Sequence, residues 1–207
     1  MCAELGRMGL FDARRDERVS RLLRALGHGS PDGSAELIGS LGRGAGDDVS
    51  DIDLRWTPGR ALTADGLYDV LSQVDSVESL RFDPDYACSF TTRLVFVRFT
   101  GWSLFSRVDL MIEGTFGEGS LTGPWSATES AVMNVIAAIK SCRRGTDAAD
   151  GLLSRGFQRV GARDPGGEVV DRMDLLLIEA SRQDPALSDL AARVREAFPA
   201  CRPVKAP

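Results

Sequence analysis

The hydrophobic rhythm of this 207-residue chain changes once along its length, and that change limits the folds open to it. Before Gly123-Pro124 the strongest pattern has a period of two. Thr92 to Phe99 (TRLVFVRF) and Phe105 to Ile112 (FSRVDLMI) are rich in β-branched and aromatic residues, and they flank Thr100-Gly101-Trp102-Ser103, which reads as a hairpin connection. Asp51-Ile52-Asp53-Leu54-Arg55-Trp56 alternates in the same way and suits a strand with one wet face. A short apolar run, Glu36 to Ile38, precedes it. Glu17 to Leu26 carries Val19, Leu22, Leu23 and Leu26 at helical spacing with Gly27 as a stop, and Leu67 to Val74 predicts a second helix. Past Gly123 helical periodicity takes over in Ser130–Arg143, Asp147–Leu153, Val169–Ala180 and Leu187–Ala197. The expected fold is therefore α+β, with a mixed β-sheet domain over residues 1–123 and a C-terminal helical bundle over residues 124–207. No internal repeat or low-complexity tract interrupts this plan, and Arg202 to Pro207 is expected to fray.

Composition narrows the function. The formal net charge of −5 argues against a broad non-specific nucleic-acid footprint, which needs a basic face. The four cysteines, Cys2, Cys88, Cys142 and Cys201, form no Cys-x-x-Cys pair, and His28 is the single histidine, so the chain lacks the ligands of a structural zinc site. They are expected to be reduced thiols of a cytoplasmic protein. The N-terminal stretch is broken by charges before it reaches signal-peptide length, and no apolar run approaches the ~20 residues needed to span a bilayer. The expectation is a soluble protein with no membrane association.

The stretch from Leu37 to Leu54 carries the chemistry. On a strand, Asp51 and Asp53 project from one face about 7 Å apart, while Ile52 and Leu54 turn to the core. Two carboxylates so placed repel unless a cation lies between them, and hard divalent ions with oxygen ligands, Mg²⁺ above all, meet that need while sharing triphosphate oxygens. Asp109, in Val108-Asp109-Leu110, offers a third acid on a later strand. Three acids on one sheet face can hold two ions about 4 Å apart, which clamp the attacking and leaving oxygens of a phosphoryl displacement. Upstream, Gly39 lets a phosphate approach the backbone, and Ser40 can donate to it beside exposed amides. Asp47 and Asp48 read as solvated turn residues. Ser40 is a poor candidate for a covalent nucleophile, because no motif links His28 to it.

These residues together resemble the DNA polymerase β-like nucleotidyltransferase superfamily, whose pattern is Gly-Ser, about a dozen residues, Asp-apolar-Asp-apolar, and a third acid on a later strand. Here it reads Gly39-Ser40, Asp51-Ile52-Asp53-Leu54 and Asp109. Gly42-Arg43-Gly44, Ser50 and the run from Ala137 to Gly145, followed by Asp147 to Leu153, resemble the branch that modifies aminoglycosides and lincosamides. The resemblance spans roughly residues 35–155. It implies an Mg²⁺-dependent enzyme, with a two-metal site at Asp51, Asp53 and Asp109, and a nucleoside triphosphate, ATP in most relatives, held near Gly39 and Ser40. Arg43 is a further phosphate contact under this reading, against the alternative of a solvent-facing loop arginine. Lys140 shares the inward stripe of Met133 and Ile136; in relatives a lysine of this helix reaches the triphosphate, and the alternative is a lysine snorkelling at the edge of a core.

The implied reaction is in-line attack of a small-molecule hydroxyl on the α-phosphorus with release of pyrophosphate. Asp109 is the first candidate for the base and Glu113, ~13 Å further along the strand, the second. The acceptor is expected between the sheet and the helical half. Acids of that half (Glu129, Asp147, Asp150, Asp171, Asp174) are available to a cationic acceptor, though helix caps and solvated faces account for most of them. A protein or biosynthetic acceptor, a non-catalytic nucleotide-binding module and a homodimer stay open.

Overall fold

The computed structural model describes residues 2–30, 32–87, 89–116 and 125–201, with side chains from Arg14 onward. Five strands run through the first part: β1 (Ser34–Leu37), β2 (Ile52–Thr57), β3 (Val77–Phe82), β4 (Thr92–Phe99) and β5 (Val108–Glu113). They form one mixed sheet in the order β1-β2-β5-β4-β3, parallel only between β2 and β5. Helix α1 (Cys2–Gly29) precedes the sheet, the single turn α2 (Gly39–Gly42) joins β1 to β2, and α3 (Ala64–Ser72) joins β2 to β3.

Alternation decides which face of the sheet is dry. Ile52, Leu54 and Trp56 on β2, Val95, Val97 and Phe99 on β4, and Val108, Leu110 and Ile112 on β5 are buried together. Leu22 and Leu26 of α1 and Leu67, Val70 and Leu71 of α3 belong to the same core. Three fully buried side chains from one six-residue strand fix its register, because a slip by one would send the polar set inward. The odd-numbered residues of β2 and β5 therefore share the opposite, wetter face.

The chain divides into two compact units, Met1–Trp125 and Ser126–Pro207. The boundary read from the sequence at Gly123 lies outside the described residues, as do Cys88 and the tail from Arg202. The second unit contains α4 (Ala127–Arg144), α5 (Ala149–Arg159), α6 (Val169–Gln183) and α7 (Ser188–Arg195). Ser126 caps α4 by accepting the Glu129 amide at 3.0 Å, and Gly145 closes it with φ of 65°. Its interior is built from Val132, Val135, Ile139, Leu153, Phe157, Leu176 and Leu177. Cys142 and Cys201 are free thiols in this unit; burial pushes Cys201 up to about 12, with Cys142 adding.

Several elements differ from the sequence expectation. Helix α1 continues past Gly27 to Gly29, since Gly27 does not take the left-handed conformation with which a glycine closes a helix. Strand β5 begins at Val108 rather than Phe105, because Ser106 closes a turn onto the Ser103 carbonyl at 3.0 Å. Helix α5 runs on to Arg159 through Gly156, where a Cβ would stand 2.4 Å from Leu176 of α6. Among the described residues no helix is long and apolar enough to cross a membrane.

Candidate active site

The parallel pairing of β2 with β5 sets Asp53 directly opposite Asp109. The rung continues across the sheet, with Phe96 opposite Asp109 and Arg81 opposite Phe96. Four strands thus contribute Asp53, Asp109, Phe96 and Arg81 to one line on the face away from the core. Asp51, just before β2, is a quarter exposed and lies two residues from Asp53 on the same face.

Arg107 stands at the centre of this group. Its Nε donates to one oxygen of Asp109 at 2.6 Å and its Nη2 to the other at 2.7 Å. The same Nη2 is 3.9 Å from a carboxylate oxygen of Asp51, and the guanidinium lies 4.8 Å over the Phe96 ring. Arg81 covers Phe96 too, at 5.5 Å, and is equally distant from the Trp125 ring. Burial pushes the Asp109 carboxyl up to about 6; Asp51 and Asp53 push the same way while Arg107 opposes them. The Arg107 guanidinium is held above its ordinary value by Asp109, Asp51 and Asp53 against the cost of burial.

The Gly-Ser turn is pressed against this cluster. Gly39 has φ of 64°, and a Cβ there would fall 1.9 Å from an Asp53 carboxylate oxygen. The Ile38 amide donates to the Asp53 carbonyl at 2.8 Å. Ser40 is half-buried on α2. The return loop ends in a tight turn: an Asp47 carboxylate oxygen accepts from the Ser50 hydroxyl at 2.7 Å and the Val49 amide at 3.2 Å. Asp47 therefore shapes the approach to Asp51 while remaining exposed.

The structure brings Asp51, Asp53, Asp109 and Gly39 together, with Ser40 next in the chain. Arg43 is exposed at the end of α2. Lys140 is buried on α4, in the second unit. Glu113 shares the Asp109 face but pairs with Arg55 at 3.3 Å. Of the acids in the helical unit, Asp150 is bonded to Arg172 and Asp174 to Arg195. Arg107 was missed in the sequence reading, though the period of two that singled out Asp109 also places residue 107 on the same side.

Among the described residues the candidate ligands are oxygen donors, and the three carboxylates outnumber the guanidinium groups of Arg107 and Arg81. That chemistry fits a hard divalent ion. In the described arrangement no group of three or more His, Cys, Asp or Glu side chains converges as a metal cage, and both Asp109 oxygens are bonded to Arg107.

No protein-family model matches this chain, and neither does any curated protein. Among solved structures it is similar to the GLD-2/RNP-8 complex, with 15% identity and a TM-score of 0.34 over 86% of this chain and 62% of that one. It is similar to Cid1, described for RNA terminal uridylyl transferase activity, with 16% identity and a TM-score of 0.38 over 82% and 48% of the two chains. It is also similar to the polymerase core of TRAMP, an RNA surveillance complex, with 14% identity and a TM-score of 0.36 over 90% and 57%. The chain spans 48% to 62% of the length of these three. They are distant likenesses, below the level at which shape carries function.

Proposed function

We propose that the chain is an enzyme, a metal-dependent nucleotidyltransferase that moves a nucleoside monophosphate, AMP from ATP, onto a hydroxyl of a small aminoglycoside-like or lincosamide-like acceptor. The observation that carries this reading is the in-register pairing of Asp53 with Asp109 beside Gly39, which puts the motif's separated pieces in one place. A divalent ion such as Mg²⁺, held by Asp51 and Asp53, would supply charge neutralisation to the triphosphate. Gly39 and Ser40 offer amides and a hydroxyl to its phosphate oxygens, and Arg43 is accessible for the same purpose. Asp109 takes the proton of the acceptor hydroxyl as the new bond to the α-phosphorus forms and the bond to pyrophosphate breaks. Burial raises its proton affinity, and Arg107 fixes its orientation through two hydrogen bonds. No step is assigned to Lys140.

The other acceptor is an RNA end, the substrate described for Cid1. The acidic balance of the chain opposes it, because a polyanion needs a basic track. Mass spectrometry of reactions containing Mg²⁺, each nucleoside triphosphate, a panel of aminoglycosides and lincosamides, and a short RNA distinguishes the two. The expected product is a small acceptor heavier by one nucleoside monophosphate, with pyrophosphate released and Asp53→Asn slower by about a hundredfold or more. An extended RNA would replace the acceptor; an Asp53→Asn variant as active as wild type would remove the metal assignment.

A further inference from the structure

Beside the 47–50 turn, at Asp48, lies a cavity of about 340 Å³ that the proposed reaction does not use. Arg14, Arg15 and Arg18 of α1 line it, with Asp48, Trp102, Ser103 and Ser106. Three guanidinium groups facing one carboxylate is an unusual balance for a protein whose whole charge is −5. Arg15 is buried and donates to the Asp47 carbonyl. Arg18 lies 4.7 Å over the Trp102 ring. Burial, with Arg14 and Arg21 adding, lowers its pKa, while Asp75 and Glu17 oppose them. Trp102 is itself fixed, its indole donating to Asp75 at 3.1 Å and its ring 4.5 Å from Phe99. The cavity is thus small, has an aromatic wall held by Asp75 and Phe99, and is lined by more guanidinium groups than carboxylates.

We propose that this cavity is a binding site for a compact phosphate-bearing anion, free condensed phosphate or the phosphate tail of a nucleotide. Guanidinium groups present several N–H donors in a planar fork that matches tetrahedral oxyanions, and a multivalent anion offsets their mutual repulsion. Ser103 and Ser106 add hydroxyls at the rim. The size lies near the lower bound for ligand pockets, which selects small ligands. The position gives the site a consequence. Asp48 is three residues before Asp51, and Ser106 is one before Arg107. An occupant competes with the Asp47 carbonyl for Arg15, so binding bears on the turn that delivers Asp51.

Trp102 in the wall supplies the readout. Full-length protein in EDTA is titrated with pyrophosphate and, separately, with ATP, following tryptophan fluorescence and the heat of binding at constant ionic strength. Wild type is expected to show a saturable response to at least one of them and none to chloride. Arg14→Gln, at an exposed position that folding tolerates, should weaken it about tenfold or more. Arg18→Gln should do the same, Trp102→Phe should remove the optical signal but not the heat, and Asp53→Asn should bind as wild type. Saturation by pyrophosphate marks free condensed phosphate as the ligand; saturation by ATP alone marks the nucleotide. No saturable heat, heat unaffected by both arginine changes, or an equal response to chloride overturns the proposal. A heat that appears only when Mg²⁺ replaces EDTA, and is lost in Asp53→Asn, overturns it as well, since the anion would then belong to the carboxylate site.

Discussion

At Gly39 there is no room for even one methyl group. Its positive φ disfavours other residues, and a Cβ would overlap the Asp53 carboxylate. Gly39→Ala should therefore displace Asp53 or the turn while leaving the core intact. The expected result is a fall in transfer rate on the order of a hundredfold, with a thermal midpoint within a few degrees of wild type. A variant with full activity would show that the contact between the turn and Asp53 does not matter. The carboxylates were legible in the sequence because a strand repeats every two residues and apolar neighbours declare the buried side. The reason for the glycine was not legible, since it depends on a side chain fourteen positions later. Arg107 was hidden for a related cause: its importance lies in facing Asp109, Asp51 and Phe96 at once, and only register across strands shows that.

Among elements, the helices of the second unit could be read from spacing, while β3 could not. Its sequence, Val-Glu-Ser-Leu-Arg-Phe, sends Val77, Leu80 and Phe82 towards the sheet core across a register shift between Val77 and Ser79, and puts the buried Arg81 on the other face. A charged residue at that depth breaks the expected alternation. The loop between α5 and α6 is fastened by a contact that spacing cannot reveal either. Asp164 accepts from Arg172 at 3.0 and 2.6 Å, from the Ser154 hydroxyl at 2.6 Å and from the Gly166 amide at 3.0 Å. The Arg172 hydrogen bonds chiefly hold its carboxyl down at about 2. Unfolded, it titrates near ~3.9, so the group stabilises the fold at every pH above about 4 and loses that contribution as the pH falls towards 2. Asp164→Asn should cost about 1–2 kcal/mol at pH 7 by urea unfolding, allowing for partial solvent access. The difference from wild type should vanish near pH 2; a gap that persists there would mean the loss is not electrostatic.

For the whole molecule, the strand order has a bearing on how the chain comes together. β1 and β2 are near neighbours in sequence, and β3, β4 and β5 form a second run of neighbours paired antiparallel. The two groups meet only where β2 lies beside β5, a pairing between residues 56 positions apart at Asp53 and Asp109. That seam is the slowest kind of contact to form, because distant segments must meet before anything is gained. It is also where like charges face each other. Asp53→Asn should accordingly refold faster than wild type in metal-free buffer, by about two- to fivefold in stopped flow, even though its transfer rate is expected to fall. An unchanged rate would place the charged rung outside the barrier. The carboxylates thus come to face each other only in the joining step, so neither half of the sheet holds the proposed site by itself, and a growing chain acquires it only after β5 has been made and has found its place.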